Sequence, residues 1–367
     1  IQEKENEWQL RHQRRGKTPR TRIFQPLYTV QQAMSALDHL LPVPFGTDIT
    51  ASETVRARFH EAGHILGSAW IEVTAAEKGL SRKLVFSGDL GMPGRPVIHD
   101  PEKTIPEADL LLIESTYGNR QHRPMGETED EIVSAFERVR ATRGNLIIPS
   151  FAVGRTQEVI HILADLVHRK RIGPVKIYVD SPMAASATRI TLDHRELLDD
   201  ETIALRMWAD KHPDKIKVEF VGDANASRAL NEVKSGAVII SASGMCDAGR
   251  IKYHLRENLP RPECCILITG FQASGTLGRR LVDGAPLVRI FGQPIPVRAR
   301  IHTVGGLSAH ADQPALIDWL RGFRKPPKQA FVVHGEPGAS QAFIAAVQKN
   351  LGWKNLRLPR LGEFVTL

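Results

Sequence analysis

Helix-like and strand-like segments alternate along the middle of this chain, and this alternation restricts the fold more than any other feature. Patterns typical of helices cover residues 127–142, 156–168 and 184–192, and short apolar runs typical of strands cover 145–149 and 175–179. Strands separated by helices form parallel sheets, because each helix carries the chain back to the start of the next strand. The sequence therefore predicts an α/β fold with a parallel sheet.

Three more apolar runs of strand character lie before the alternating region. They cover residues 69–73, 83–86 and 110–113. Each has an ionisable residue close by: His64 before the first, Asp89 after the second and Glu114 after the third. Catalytic and binding residues often lie at strand ends, because the sheet fixes the backbone while the loops let side chains converge. We therefore take these three residues as the first candidates for a site.

The segment from His60 to His64 has the sequence H-E-x-x-H, which on a helix binds zinc through both imidazoles. A helix is not expected here, because Gly63 and Gly67 would each cost it about 1 kcal/mol relative to alanine, and the flanking residues favour strands. We expect a loop in which Gly63 lets the backbone turn and His64 points into a cleft.

Two further histidines lie at element ends near the C-terminus. Strand character returns over residues 287–291 and 297–304, a helix is predicted over 313–323, and a strand over 329–333. His310 falls at the junction before that helix, and His334 follows that strand. With 14 histidines in the chain, a single one is more often structural than a ligand, but three at strand ends beside Asp89 and Glu114 indicate a common site.

Loops rich in small residues follow the predicted strands of the alternating region. They cover residues 149–155, 180–183 and 241–245. Such loops present backbone N–H groups and a helix N-terminus, which together can bind an anion. Arg155, at a helix start beside a glycine, is a candidate phosphate clamp, and a surface salt bridge is the equally weighted alternative.

The charge balance permits a polyanionic partner without demonstrating one. The 367 residues include 49 Lys and Arg against 41 Asp and Glu, a formal net charge of +8. Much of the excess lies in residues 11–22, which predict either a solvated arm or a nucleic-acid contact. A polar helix is predicted over residues 1–15 and an amphipathic helix, capped by Thr29, over 29–41. The first residue is Ile1, and we expect the sequence to be a fragment.

The cysteines and the hydropathy pattern bear on the compartment. The three cysteines, Cys246, Cys264 and Cys265, show no disulfide framework and no C-x-x-C metal spacing, so we expect a reducing, cytoplasmic environment. No apolar run approaches the ~18 residues of a membrane span, and we expect no membrane partner.

Taken in order, several segments resemble the β-CASP branch of the metallo-β-lactamase superfamily, whose members are zinc-dependent nucleases. The segments that carry the resemblance are AGHILGSA, FSGDLG, ESTYGNR, GGLSAHAD and FVVHGE, flanked by PSFAVGRTQE, DSPMA and SGMCDAGRIKYHL. They are most similar to the bacterial and archaeal RNA-processing members. The resemblance covers essentially the whole chain.

The resemblance implies a fold and a division into domains. The fold would be a metallo-β-lactamase αββα sandwich, without its N-terminal half, into which a β-CASP domain with a parallel sheet flanked by helices is inserted. Residues 1–122 and 285–367 would belong to the metallo-β-lactamase domain, and residues 123–284 to the inserted domain.

The resemblance also implies roles for the candidate residues. His64, Asp89 and His334 would ligate zinc, with Asp89 bridging two ions, and His310, oriented by Glu114, would be the general acid. The family's main zinc motif, H-x-H-x-D-H, is absent from this sequence, which contains no H-x-H. We therefore expect weak zinc binding and impaired activity from this chain.

The partner implied is RNA, single-stranded by expectation. Its phosphates would be held by the small-residue loops, through Ser150, Arg155, Ser243, Gly244 and Met245. A homodimer is a candidate state. Two alternatives stay open: a non-catalytic RNA-binding or scaffold protein, and a hydrolase of a small ester or lactam. The long insertion and the Glu114/His310 pair argue against the second.

Overall fold

The computed structural model describes residues 27–105 and 107–366. Two units are distinguished by their internal contacts, residues 1–47 and residues 48–367. The first contains a helix, Val30–Leu37, whose cap is reciprocal: Thr29 Oγ1 accepts from the Gln32 N–H, and Gln32 Oε1 accepts from the Thr29 N–H. The basic arm at residues 11–22 and the helix predicted over 1–15 lie outside the described residues.

The elements alternate as follows. In chain order, the strands are β1 (Asp48–Ser52), β2 (Val55–Glu61), β3 (Ala69–Glu77), β4 (Leu80–Phe86), β5 (Leu110–Glu114), β6 (Leu146–Pro149), β7 (Val175–Val179), β8 (Ile216–Phe220), β9 (Val238–Ser241), β10 (Cys265–Ile268), β11 (Leu287–Ile290), β12 (Gln293–Pro296), β13 (Arg300–Thr303), β14 (Gln329–Val333) and β15 (Leu356–Arg357). The helices are α1 (Val30–Leu37), α2 (Met125–Thr142), α3 (Arg155–His168), α4 (Pro182–Asp193), α5 (Asp200–Lys211), α6 (Ala224–Leu230), α7 (Ile251–Asn258), α8 (Leu277–Val282), α9 (Gln313–Leu320) and α10 (Pro337–Leu351).

One sheet has seven strands in the order β1-β2-β3-β4-β5-β14-β15. The strands from β1 to β4 are antiparallel neighbours, whereas β4, β5, β14 and β15 are parallel. Its core includes Trp70 of β3, Trp319 of α9 and Phe343 of α10, all fully or almost fully buried. The rings of Trp70 and Trp319 meet edge to face, with centroids 5.8 Å apart, so that α9 is fixed against the sheet.

The other large sheet has six parallel strands in the order β13-β10-β6-β9-β7-β8. Its central strands are apolar on both faces: in β6, Leu146 and Ile148 pack into one hydrophobic cluster and Ile147 into another. A strand that is apolar on both faces is expected where helices cover both faces of the sheet. The expected α/β class with a parallel sheet flanked by helices is therefore confirmed.

Most predicted elements are present, with shifts at their ends. The strands predicted over 175–179 and 329–333 are β7 and β14 without change, whereas the helix predicted over 29–41 ends at Leu37. The strand predicted over 297–304 covers only Arg300–Thr303, and residues 293–296, which were not predicted to be a strand, pair with β11 in a hairpin. The predicted domain boundaries stay a prediction. Strand β13 lies within residues 285–367, which the resemblance assigns to the metallo-β-lactamase domain, and it joins the six-stranded sheet.

The H-E-x-x-H segment is not a helix, as predicted. His60 lies in β2, with its ring stacked on Trp70 at a centroid distance of 3.8 Å and its Nδ1 3.0 Å from Glu102 Oε2. Gly63 has a φ of +63°, which confirms the expected turn before His64. Over the described residues, no helix combines the length and apolar character needed to cross a membrane.

Candidate metal centre

The candidate residues lie at the ends of neighbouring strands. Asp89 follows β4, Glu114 is the last residue of β5, and His334 follows β14; these strands are adjacent and parallel. Their carboxyl ends therefore meet at one edge of the sheet. His64 lies in the loop between β2 and β3, and His310 in the segment before α9.

The structure brings these side chains together. His64 Nε2 is 3.9 Å from Asp89 Oδ2, and His334 Nδ1 is 3.1 Å from Asp89 Oδ1. His310 Nδ1 is 3.2 Å from Glu114 Oε1. Within the described part of the chain, one ligand atom each from His64, Asp89 and His310 also lie within 4.8 Å of one another. The carboxylate of Asp89 is thus the centre of a cluster of imidazoles.

Close backbone approach explains why distant segments converge here. The N–H of Gly91 donates to Ala62 O at 2.7 Å, and a Cβ at Gly91 would lie only 1.8 Å from Gly63 O. On its other side, the segment after Asp89 pairs with the segment around His310: Met92 N–H donates to Ala309 O at 3.0 Å. A side chain at position 91 would force His64 and Asp89 apart.

Glu114 holds His310 in place and raises its basicity. Glu114 is almost fully buried, and its Oε1 accepts hydrogen bonds from the Leu90 N–H at 2.7 Å and from His310. Burial alone would lower the pKa of His310, but the hydrogen bond and charge of Glu114, helped by Asp89, outweigh it and raise that pKa. His310 therefore carries a proton more readily than an ordinary histidine does.

His64 has the opposite electrostatic environment. Burial, followed by the nearby charge of His310, lowers the pKa of His64. Its Nδ1 is buried without a hydrogen-bond partner among the described residues, whereas Nε2 faces Asp89. A neutral imidazole is the form that ligates metals. His64, Asp89 and His334 therefore present the nitrogen and carboxylate donors that zinc prefers, and the residues fit that metal.

The loops predicted to hold RNA phosphates follow strands of the six-stranded sheet. Ser243, Gly244 and Met245 come after β9. Ser150, directly after β6, is fully buried, and its hydroxyl lies 3.3 Å from both Phe151 O and Thr156 Oγ1. The Ser150 side chain thus packs inside its loop rather than facing a ligand.

Arg155 does not extend into solvent either. Its guanidinium pairs with Glu158 one turn along α3, and the same carboxylate also pairs with Arg95. Burial lowers the pKa of Arg155 to about 10. The predicted role of a free phosphate clamp is therefore weakened, since the guanidinium already has a partner.

Arg95 and Glu158 were not singled out from the sequence. Arg95 also donates to the backbone oxygen of Gly306, so it links three segments of the chain. The i, i+3 spacing of Arg155 and Glu158 could have indicated their ion pair, but no sequence signal marks Arg95. Two almost buried guanidinium groups therefore share one carboxylate, which leaves an excess positive charge beside the loop of residues 150–154.

Comparison with known proteins agrees with this architecture. A family model described as a Beta-Casp domain matches residues 156–281, and one described as a Zn-dependent metallo-hydrolase RNA specificity domain matches residues 294–358.

Relatives match over most of the chain. Ribonuclease TTHA0252 of Thermus thermophilus is 37% identical over 346 residues, which cover 93% of this chain and 76% of the relative. An RNase J-like protein of Methanocaldococcus jannaschii is 29% identical, with 90% and 75% covered. Transcription termination factor FttA of the same organism is 29% identical over 88% of this chain, which spans 51% of that relative. The chain therefore belongs to the β-CASP family of the metallo-β-lactamase superfamily, a family of hydrolases that are RNA nucleases.

Proposed function

We propose that this protein hydrolyses phosphodiester bonds of single-stranded RNA, with zinc as its metal. The observation that carries the proposal is the convergence of His64, Asp89, His310 and His334 at one edge of the seven-stranded sheet. Supporting it are the family and the chemistry of the donors, imidazole nitrogen and carboxylate oxygen, which suit zinc.

Each residue has a role that follows from its surroundings. His64 and His334 offer imidazole nitrogens on either side of Asp89, whose carboxylate offers two oxygens. Zinc held there would supply Lewis-acid activation of water and of a phosphoryl oxygen. His310, whose protonated form is favoured by the hydrogen bond and charge of Glu114, donates a proton to the leaving 3′ oxygen. The product would be a 5′-phosphate.

The proposal includes weak retention of metal by the 367-residue chain. The sequence contains no H-x-H, so the zinc ligands that this motif supplies in the family are lacking and the shell around zinc would be open. We expect zinc to be lost on dialysis and turnover to be slow. Activity is therefore measured with zinc in excess.

The test compares Asp89→Asn with the native chain. We expect the native chain to release 5′-phosphorylated products from a single-stranded RNA in excess zinc, and Asp89→Asn to lower the rate by about 100-fold or more, because the amide is a poor zinc ligand. As a control, Asp210→Asn, on the surface of α5, should keep the native rate.

Two outcomes would count against the proposal. A native chain that binds RNA but does not cleave it in excess zinc would favour the non-catalytic alternative. Equal rates for the native chain and Asp89→Asn would place the chemistry elsewhere in the molecule.

A further inference from the structure

Two exposed phenylalanines lie at the same edge of the six-stranded sheet. Phe151 follows β6 and Phe271 follows β10, and these strands are parallel neighbours. Their side chains stay in solvent: Phe151 is 46% exposed and Phe271 is 58% exposed. Because both residues follow carboxyl ends of parallel strands, they lie in the crevice region where α/β proteins bind ligands.

The loop that carries Phe151 packs closely on a neighbouring loop. A Cβ at Gly244 would lie 3.0 Å from both Cδ2 and Cε2 of Phe151, so the ring rests on the backbone of the loop after β9. A larger residue at position 244 would push the ring away. The exposed ring of Phe151 is thus positioned by a specific contact.

The loop that carries Phe271 is tied to the same backbone. Gln272 is buried, and its Nε2 donates to Gly244 O at 3.0 Å and to Gly270 O at 3.1 Å. Gly278 makes room for it, because a Cβ there would lie 1.7 Å from Gln272 Oε1. Gly244 therefore connects both loops, and burial of Gln272 directs its neighbour Phe271 outward.

The loop after β6 also reaches the candidate catalytic site. Gly154, at a φ of +77°, lies so close to Ile65 that a Cβ there would be 3.0 Å from Ile65 Cγ2. Ile65 directly follows His64. A polymer that enters the site near His64 would therefore pass the loop that carries Phe151.

The charge and the exposed rings beside this loop favour a nucleic acid as the occupant. Arg95 and Arg155 share the carboxylate of Glu158, so these three side chains together carry a net positive charge. Both guanidinium groups are almost buried, so they attract the phosphates of a strand through their electric field and not by direct contact. A strand of nucleic acid also offers flat bases to the exposed rings, which an apolar protein partner does not.

We propose that Phe151 and Phe271 each stack on a base of single-stranded RNA and hold the strand in the crevice beside His64. The inference rests on the proposed function, because it names how the substrate of that site is held. Every base has a flat face, so binding through these rings tolerates any sequence.

The test measures the dissociation constant, Kd, of a fluorescent RNA oligonucleotide in EDTA, so that neither zinc nor cleavage contributes. Phe151→Leu and Phe271→Leu keep an apolar side chain but remove the flat ring, and each should raise Kd about 5- to 100-fold. Phe151→Tyr keeps the ring and should bind within about threefold of the native chain. Phe364→Leu, an exposed phenylalanine in the C-terminal segment, is the control and should not change Kd.

An abasic ribose-phosphate chain of the same length separates stacking from general damage. All the variants should bind it with the native affinity, since it has no bases to stack. Unchanged Kd for RNA in both leucine variants, or an equal loss for the abasic chain, would overturn the inference. Binding through the rings without cleavage in zinc would contradict the proposed function alone, and cleavage with unchanged Kd in the leucine variants would contradict the stacking alone.

Discussion

At the scale of single residues, His310 and His334 differ in their environment, although both lie near Asp89. His310 is hydrogen-bonded to the buried Glu114, and its pKa is raised. His334 is more exposed, lies 3.1 Å from Asp89, and has a φ of +52°, an unusual backbone conformation for a residue other than glycine. Thr116 Oγ1 holds that conformation by donating to His334 O at 3.1 Å. These differences indicate a proton donor and a metal ligand, respectively.

We predict that replacing His310 and replacing His334 affect different properties of the protein. His310→Ala should lower RNA turnover in excess zinc by ~10²–10⁴ and leave the dissociation constant for zinc unchanged, as expected for a proton donor. His334→Ala should weaken zinc binding, measured by titration of the chain with zinc in competition with a zinc-binding dye. Glu114→Gln should resemble His310→Ala in keeping zinc binding and lowering turnover. The double variant Glu114→Gln/His310→Ala should lose little more turnover than either single variant, because the two residues act as a unit. Weaker zinc binding in His310→Ala would instead identify His310 as a metal ligand, because one of its ring nitrogens also lies close to ligand atoms of His64 and Asp89.

At the scale of secondary-structure elements, a buried carboxylate joins three of them. Asp180, directly after β7, is fully buried. Its Oδ1 accepts from Arg250 at the start of α7 at 2.7 Å, and its Oδ2 accepts from Ser227 of α6 and from His254 of α7, both at 2.6 Å. Sequence reasoning treated this segment only as an anion-binding loop. Its position instead ties the end of the six-stranded sheet to the helices that follow β8 and β9.

We predict that Asp180→Ala destabilises the fold by roughly 3 kcal/mol or more, because it leaves the buried partners of the carboxylate unpaired. Urea denaturation measures the change. Asp214→Ala, on the surface, should change stability by less than about 0.5 kcal/mol. A loss from Asp180→Ala as small as this control would show that the network adds no stability.

The loss of stability caused by Asp180→Ala should depend on pH. Burial by itself would raise the pKa of Asp180, but hydrogen bonds from His254, Ser227 and Arg250 outweigh burial and hold it below its ordinary value of 3.8. The carboxylate therefore stabilises the fold fully above its ordinary pKa, and the contribution is lost as the pH falls through the lowered folded value. The difference between the native chain and Asp180→Ala should accordingly shrink only in strong acid.

At the scale of the whole molecule, the formal net charge of +8 and the buried arginine pair favour a polyanion. Binding to phosphates releases counterions and so weakens with salt, whereas stacking of bases on rings does not depend on that release. The two contributions to RNA affinity can therefore be separated.

We predict that log Kd for single-stranded RNA rises with log salt concentration at a slope of about 0.7 per phosphate contacted. Phe151→Leu should weaken binding at every salt concentration and keep the native slope, because it removes no phosphate contact. A titration from low to high potassium chloride measures both quantities. Binding of the native chain that is independent of salt would contradict a nucleic-acid role.

Local sequence patterns predicted the elements and several members of the candidate site. Apolar runs predicted the strands, and ionisable residues at their ends predicted His64, Asp89 and Glu114 as candidates. The reason is local: strand and turn propensities act over a few residues, and parallel strands place their carboxyl ends on one edge. The zinc, the number of ions and the roles of the histidines came from the family resemblance instead.

Only the tertiary structure decided which side chains are available to a ligand. It buried Ser150, engaged Arg155 through Glu158, added Arg95 from 63 residues before Glu158, and left Phe151 and Phe271 in solvent. Burial and pairing between distant segments depend on how every element packs, and neighbouring residues in the sequence carry little information about that. The ionisable residues at the strand ends could thus be predicted from the sequence, whereas packing decided which side chains a substrate could contact.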